Sequence, residues 1–386
     1  MCDLAMDYAT QSILLIDDDR IITEGLGAGL RRGGRTIITC NDIESAELIV
    51  ENLHPSHVVS DVRLSGEFAF EGLDFVRFVR RHAPDSQVVL MSGQASDAML
   101  QEGSERGAVA FLRKPFSLRE LDAVLDGAEP LSDSSPAGDR PIIRVPLFDD
   151  LVTGDDLRPM FQPIVSLDES RRVIGYESLA RLRTESPLRN PELLFRYAAR
   201  KERVTDLELA CLDATMRAGA SLPDEALIFM NIHPLAFQEG PRLIQHLENG
   251  IASNGLSASR FVLEITEQAS LPSGSGVAET LAAIRNLGMR FAFDDVGVAY
   301  SHLPYIDLVR PSFLKISQDF GSGFEIDESR TKIVKNIASL ATDFGCQTIL
   351  EGIEEPATAR AAELLNIPLG QGYLFGRPRE MSGAHV

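Results

Sequence analysis

Cysteine is scarce and scattered. The 386-residue chain has four, Cys2, Cys40, Cys211 and Cys346. No pair has C-x-x-C spacing, which argues against a zinc centre, and the four read as reduced packing thiols of a cytosol. Basic charge is in deficit as well: 37 Lys and Arg stand against 57 Asp and Glu, for a net charge of −20. Such a balance disfavours a nucleic-acid duplex or an anionic membrane as the main partner, so no DNA and no membrane partner is expected. An anionic substrate would need metal and a few local cations to overcome that field. No apolar run reaches membrane-spanning length. The N-terminus lacks a basic region followed by an apolar run and a small-residue cleavage site. A cytoplasmic location is expected. There is no internal repeat and no helix-turn-helix pattern.

What is present is enough chain for two or three domains, with an ordinary hydrophobic fraction of 44% and charged fraction of 24%. One stretch stands out, Phe291-Ala292-Phe293-Asp294-Asp295-Val296-Gly297. Residues 289–293 read as a short buried strand. Two aspartates and a glycine follow. Neighbouring strand residues point to opposite faces, so both carboxylates converge only where the strand gives way to a loop. Two carboxylates at about 4 Å repel by roughly 4 kcal/mol at an effective dielectric near 20, which cations between them would relieve. A plainer role is helix capping, where Asp is common.

Other apolar runs end in the same way. They are Phe261-Val262-Leu263-Glu264-Ile265-Thr266-Glu267, Leu227-Ile228-Phe229-Met230-Asn231, Phe313-Leu314-Lys315-Ile316 and Thr348-Ile349-Leu350-Glu351-Gly352. Helical periodicity lies between them, as at 277–287 and 330–344. Strand, polar tip and helix in repetition predict a β/α barrel with its site at the carboxyl ends of the strands. Earlier strands of the same domain are expected at 159–165 and 172–181, one helical segment over 191–219, and a last strand at 371–375.

The first part of the chain, residues 10–127, alternates strand and helix in another register. Strands at 12–16, 36–39, 57–60, 87–91 and 108–112 predict a doubly wound α/β domain with polar groups on its carboxyl edge. Ile16-Asp17-Asp18-Asp19, Ser60-Asp61, Met91-Ser92-Gly93 and Lys114-Pro115-Phe116 come in order along that edge. This segment resembles the receiver domain of bacterial response regulators. The resemblance implies a flavodoxin-like fold, one Mg²⁺ held by Asp17, Asp18 and Asp61, and Asp61 as phosphoacceptor for a sensor histidine kinase. It also implies Ser92 and Lys114 on the phosphoryl oxygens, a cis Lys114-Pro115 bond and Phe111 as the aromatic switch. Carboxylate oxygens suit Mg²⁺, and a carboxylate can act as nucleophile. The loop at 62–72 is longer than usual, with Ser65-Gly66 where the family often has Pro-Gly.

Residues 128–146 read as a linker rich in proline, serine and acid, too soft for a rigid lever. From 147 to 386 the chain resembles the EAL family of cyclic-di-GMP phosphodiesterases, whose fold is a TIM-like β/α barrel. The motifs are Glu177-Ser178-Leu179-Ala180-Arg181, Phe161-Gln162-Pro163, Asn231, Glu264-Ile265-Thr266-Glu267, Asp294-Asp295, Lys315-Ile316, Glu351-Gly352-Ile353-Glu354 and Gln371-Gly372-Tyr373.

That resemblance implies hydrolysis of cyclic di-GMP to linear 5'-pGpG at a two-ion site. Glu177, Asn231, Glu264 and Asp294 would hold one ion, and Asp294, Asp295 and Glu351 the other. All are oxygen ligands, suited to Mg²⁺ or Mn²⁺. Lys315 would hold or deprotonate the attacking water. Arg181 would grip a substrate phosphate, and Gln162 and Gln371 would line the substrate. Glu267 and Glu354 would support the ligands from behind. A homodimer through this domain is also implied. Plainer roles exist for single residues: Lys315 as a solvated strand-end lysine, Arg181 as the partner of a helix acid, Asn231 as a turn residue.

The loop after the paired aspartates departs from the family's D-D-F-G-T-G-Y-S-S. It has Val296, Val298, Ala299 and His302 where Phe, Thr, Gly and Ser are usual, and Ser178 replaces Ala in the namesake motif. The expected protein is a response regulator whose phosphorylation at Asp61 modulates hydrolysis, with the altered loop as the candidate recipient of the signal. The alternative from another class is a weakly active sensor that binds cyclic di-GMP. An interaction scaffold with no nucleotide role would not need Glu177, Glu264, Asp294, Asp295 and Glu351 together.

Overall fold

The computed structural model describes residues 11–31, 34–64, 71–93, 97–126, 142–153, 155–266, 271, 275–297 and 305–381. The chain divides into two compact units, Met1–Leu151 with Leu182–Glu202, and Val152–Arg181 with Arg203–Val386.

The first unit is built on a six-stranded parallel sheet. Its elements run β1 (Ser12–Ile16), α1 (Arg20–Leu30), β2 (Thr36–Cys40), α2 (Ile43–Leu53), β3 (His57–Asp61), α3 (Glu71–His82), β4 (Gln87–Ser92), α4 (Asp97–Glu105), β5 (Ala110–Arg113), α5 (Leu118–Leu125) and β6 (Ile142–Arg144). The order across the sheet is β5-β4-β3-β1-β2-β6. β1, Ser-Ile-Leu-Leu-Ile, is buried along its whole length, as parallel strands covered by helices on both faces must be. Side-chain caps start α1, α2 and α5. Asp19 accepts from the Ile21 N–H at 2.8 Å, Asp42 from the Ser45 N–H at 2.8 Å, and Ser117 with Glu120 forms a capping box.

Two features of this unit differ from the sequence reading. The end of the expected linker is a strand. Ile37 pairs with Ile142 and Ile38 with Ile143, and the Val145 N–H donates to the Thr39 carbonyl at 2.9 Å. The apolar run Ile142-Ile143-Arg144-Val145 closes an edge of β2 that would otherwise be open. Residues 127–141, the rest of the linker, lie outside the described residues. The helical segment expected over 191–219 is also two helices, α7 (Pro191–Arg200) and α8 (Val204–Gly219). The break comes at Glu202, which adopts φ +56°. α7 belongs to the first unit, where Tyr197 is fully buried with its ring edge-on to Phe148 at 5.6 Å. Phe148 opens a short helix, α6 (Phe148–Thr153).

The second unit is a closed eight-stranded barrel. Its strands are β7 (Leu157–Ser166), β8 (Val173–Leu182), β9 (Leu227–Asn231), β10 (Phe261–Thr266), β11 (Arg290–Val296), β12 (Phe313–Ile316), β13 (Gln347–Leu350) and β14 (Leu369–Gln371), closing in the order β10-β11-β12-β13-β14-β7-β8-β9. The last strand is shorter and earlier than the 371–375 expected. β7 runs antiparallel to β14, while β8 through β14 pair in parallel.

One apolar layer fills the barrel: Ile164, Phe229, Val262, Ala292, Phe313, Ile349 and Leu369. Side chains two residues apart on a strand share a face. Two positions beyond this layer therefore come Asn231, Glu264, Asp294, Lys315, Glu351 and Gln371. On the antiparallel β7, the matching position is two residues before Ile164, and Gln162 occupies it.

Candidate active site

Lys315 is the centre of the polar layer. Its side chain is fully buried, and Nζ lies 2.8 Å from Glu351 Oε1, 3.0 Å from Glu264 Oε1, 3.1 Å from Asp294 Oδ1 and 3.4 Å from Glu177 Oε2. These are charge contacts without hydrogen-bond alignment. Lys315 is thus no solvated strand-end residue. It sits in mid-barrel because Phe313, two residues earlier, is in the apolar layer beneath it.

The two amides complete the rim. Gln371 Nε2 donates to Glu177 Oε2 at 2.5 Å and to Gln162 Oε1 at 3.2 Å, and Gln162 Nε2 donates to the Gly376 carbonyl at 3.2 Å. Asn231 Nδ2 lies 3.3 Å from Glu177 Oε1 and donates to it. Asn231 is therefore part of the cluster as well as the last residue of β9.

Burial and charge act against each other here. Desolvation lifts Glu264 well above the usual carboxylate range, against the pull of Lys315. It raises Asp294 and pushes Glu351 up to about 8. Burial acts on Glu177 too, but the Lys315 charge and the Gln371 and Asn231 donors outweigh it and hold that carboxyl below its ordinary value. Burial alone would lower Lys315, yet the surrounding acids Asp294, Glu177, Glu264 and Glu351 drive it well above its ordinary value.

The donors fit divalent cations. Ligand oxygens of Glu177, Glu264 and Asp294 lie within 4.8 Å of one another. Both Glu264 oxygens and Asp294 Oδ1 are buried without a hydrogen-bond donor, which is the condition a metal relieves. An all-oxygen set matches a hard cation.

Asp294 and Asp295 do not stand where the strand gives way to a loop, as expected, and the Asp295 charge acts on Asp294. β11 does not end before them but continues to Val296, and its pairing with β12 slips between Phe293 and Val296. Asp295 takes φ +56°, a bulge geometry that re-aims side chains. Val296 is buried and pairs with Ile316. Val298, Ala299 and His302, the other departures in this loop, lie outside the described residues, as does Glu267.

Arg181 is half-buried and donates to its neighbour's carbonyl, Ala180 O, at 2.8 Å. No acid pairs with it among the described residues. Glu354 is exposed on the loop after β13. Ser178 forms a buried hydroxyl pair with Thr215 at 2.7 Å, so the serine of the namesake motif ties β8 to α8.

Sequence reading missed one buried acid, Glu208 on α8. It is 2% exposed, accepts from the His233 N–H two residues past Asn231, and is pushed up to about 8 by burial. The signal was available, since Glu208, Leu212 and Thr215 share one helical face.

The first unit holds a second acidic pocket. Lys114 Nζ lies 2.6 Å from Asp17 Oδ2 and 2.8 Å from Asp61 Oδ1. The Arg63 N–H donates to Asp61 Oδ2 at 2.8 Å. Desolvation raises Asp17 in spite of Lys114. Burial would lower Lys114, but its bonds to Asp17 and Asp61 raise it overall. Asp18 is exposed at the pocket's rim, Ser92 is buried at the end of β4, and Phe111 is half-buried on β5. The Lys114-Pro115 bond is cis. Ser65-Gly66 lies outside the described residues.

Both parts of the chain match known families. The model of the EAL domain matches residues 147–378. The chain belongs to the EAL domain family. The response regulator receiver domain matches residues 13–126, so the EAL domain follows a receiver domain. The chain is 27% identical over 358 residues to the cyclic di-GMP phosphodiesterase RocR of Pseudomonas aeruginosa, covering 89% of each. It is 28% identical over 230 residues to y4lL of Sinorhizobium fredii, covering 59% of this chain but only 28% of that protein. Among solved structures, the PaMucR phosphodiesterase in complex with c-di-GMP superposes with a TM-score of 0.52 at 25% identity, over 58% of this chain and 97% of that one. No helix among the described residues is long and apolar enough to cross a membrane.

Proposed function

We propose that the protein is a response regulator whose EAL domain hydrolyses cyclic di-GMP to linear 5'-pGpG, under control of phosphorylation at Asp61. The observation that carries this reading is the convergence of Glu177, Glu264, Asp294 and Glu351 on Lys315, with Asn231 and Gln371 beside them. RocR, named for this activity, matches over both domains.

Glu177, Asn231, Glu264 and Asp294 would hold one Mg²⁺ or Mn²⁺, and Asp294, Asp295 and Glu351 a second. Such ions would lower the pKa of water at the site and offset charge on the reacting phosphate. The chain's own residues do the rest. Lys315 would hold the attacking water as a charged donor; to deprotonate it, Lys315 would first have to lose its own proton, which cations bound among the acids would favour by lowering its pKa. Gln371 keeps Glu177 oriented through its amide. Arg181, with no acid partner among the described residues, is free to grip a substrate phosphate through its planar fork. In the receiver domain, Asp17, Asp18 and Asp61 would hold one Mg²⁺, and Asp61 accepts the phosphoryl group from a sensor histidine kinase. A homodimer through the EAL domain belongs to this reading.

A second reading rests on the altered loop. Val296, Val298, Ala299 and His302 depart from the family pattern beside Asp295, which favours a weakly active sensor that binds cyclic di-GMP. One experiment separates the two. Purified protein is incubated with cyclic di-GMP and Mg²⁺ or Mn²⁺ and the products are resolved. Linear dinucleotide that disappears on chelation supports the enzyme. Tight binding without product supports the sensor, and neither binding nor product overturns both.

A further inference from the structure

The first unit contains an interface that the phosphorylation reading leaves unused. α2 presents a row of acids, Glu44, Glu47 and Glu51, behind its capping residue Asp42. α7 lies against that row with three cations. Lys201 Nζ, just past the end of α7, is 2.8 Å from Glu44 and 3.4 Å from Asp42. Arg200 is 2.5 Å from Glu47 and 2.8 Å from Glu51. Arg196 is 2.8 Å from Glu51 and bonds the Asn52 side chain at 3.2 Å. The buried Tyr197 donates its hydroxyl proton to Asp42, and the Arg200 guanidinium sits 5.9 Å from the centre of the Phe78 ring on α3. Basic helix and acidic helix are matched residue for residue.

Both ends of this interface lead to chemistry. Asn41, next to Asp42, donates its amide to the Asp17 carbonyl at 2.8 Å, and the Asp17 carboxylate shares Lys114 with Asp61. At the other end, residues 182–202 follow Arg181 without interruption, on the strand β8 that carries Glu177.

We propose that the acidic face of α2 is an output surface of the receiver domain and that its partner is the basic helix α7 of the same chain. A phosphoryl group on Asp61 competes for Lys114. That alters the hold on Asp17, and through Asn41 and Asp42 it shifts the seat of Tyr197, Arg200 and Lys201. Because residues 182–202 are the direct continuation of β8, the shift reaches Arg181 and Glu177 along the chain itself. The inference rests on the reading of Asp61 as phosphoacceptor and deepens it by naming a route. Coupling along this route is read by a measurement on the element itself.

Hydrogen exchange of the full-length protein supplies that measurement, with beryllium fluoride and Mg²⁺ as the phosphoryl mimic. In the wild type, the mimic should change exchange both in peptides covering 191–202 and in those covering 173–181. Arg200→Glu should abolish both changes, while protection around Asp61 still reports that the mimic is bound. Arg200→Lys, which keeps the charge beside Glu47 and Glu51, should retain them. In parallel, a small phosphodonor should change cyclic di-GMP hydrolysis several-fold in the wild type and in Arg200→Lys but not in Arg200→Glu. Unchanged exchange over 191–202 in the wild type with the mimic bound overturns the proposal. So does a full response over 173–181 in Arg200→Glu. Failure of the phosphodiesterase reading looks different: no hydrolysis in any protein, with the exchange coupling intact.

Discussion

Lys315 shows how one buried side chain can organise a site. Four carboxylates within 3.4 Å of one ammonium would repel one another strongly without it, because the barrel interior screens charge poorly. Lys315→Ala should therefore have two effects. Turnover of cyclic di-GMP should fall by roughly 10²- to 10⁴-fold, the usual size of a lost proton-transfer group, with KM changed little. The metal-free variant should also melt earlier than the metal-free wild type, and Mg²⁺ should restore most of the difference by binding only the folded state. A collapse of affinity with turnover preserved would make Lys315 a substrate-binding residue instead.

Glu208 makes a prediction in pH. Its folded carboxyl stands at about 8 against an ordinary 4.5, through burial. A raised carboxyl binds its proton more tightly in the folded than in the unfolded chain. Its contribution to stability is therefore full below pH 4.5 and is lost as pH rises through 8. One pKa unit corresponds to about 1.4 kcal/mol, so the effect amounts to a few kcal/mol at most. Glu208→Gln cannot titrate. Melting curves at fixed metal concentration should show wild type losing ground to the variant as pH is raised from 5 to 8. Parallel curves would show that Glu208 is not the titrating group.

The irregularity in β11 is the element that sets the backbone of the two adjacent aspartates. A regular strand would turn one of them outward. Here the register slips after Phe293, Asp295 goes to positive φ, and Gly297 follows at φ +110°. A Cβ on Gly297 would come 2.9 Å from Phe320 and 3.0 Å from Ile337, in a backbone region that side chains avoid. Gly297→Ala should cost about 1–3 kcal/mol in urea unfolding. It should weaken divalent-metal binding more than a surface change of equal cost, because it disturbs Asp294 and Asp295 directly. Val296→Phe tests the same element from the other side. Val296 is 7% exposed, so restoring the family's phenylalanine should overpack the site and lower stability by about 1–3 kcal/mol. If stability is unchanged and turnover rises, the valine is a handicap to the EAL domain rather than an adaptation.

The proposed regulation is tested on the whole chain. On the proposed reading, Asp61 and the acids around Lys315 belong to different compact units, so a phosphate on Asp61 would act by biasing a two-state element and not in the barrel's chemistry. Phosphorylation, or a bound mimic, should change activity several-fold, equivalent to a coupling of about 1–3 kcal/mol. Asp61→Asn should remove the response and leave basal hydrolysis intact. The check is the rate of both proteins with and without a small phosphodonor, and an equal response in the variant would sink receiver control.

Much of this was legible in the residues because strand periodicity is local. Phe229 and Asn231, Val262 and Glu264, Ala292 and Asp294, and Phe313 and Lys315 are each two apart, so an apolar layer beneath a polar one is written into every strand. The receiver's carboxyl edge was legible for the same reason, since Asp17, Asp61, Ser92 and Lys114 each close or follow an apolar run. Other features depend on partners distant in sequence, and only folding supplies those. The Asp294–Asp295 bulge exists because β12 slips against β11. Lys315 is a counterion because four other strands deliver acids to it. Ile142–Arg144 became a strand because β2 had a free edge. α7, which family boundaries place in the EAL domain, packs in the receiver's unit, where Tyr197 is buried against Phe148 and the acids that match its cations lie about 150 positions earlier, on α2. Local pattern chooses which face a side chain takes; the free energy of a charge depends on what surrounds it, and that is a property of the tertiary fold.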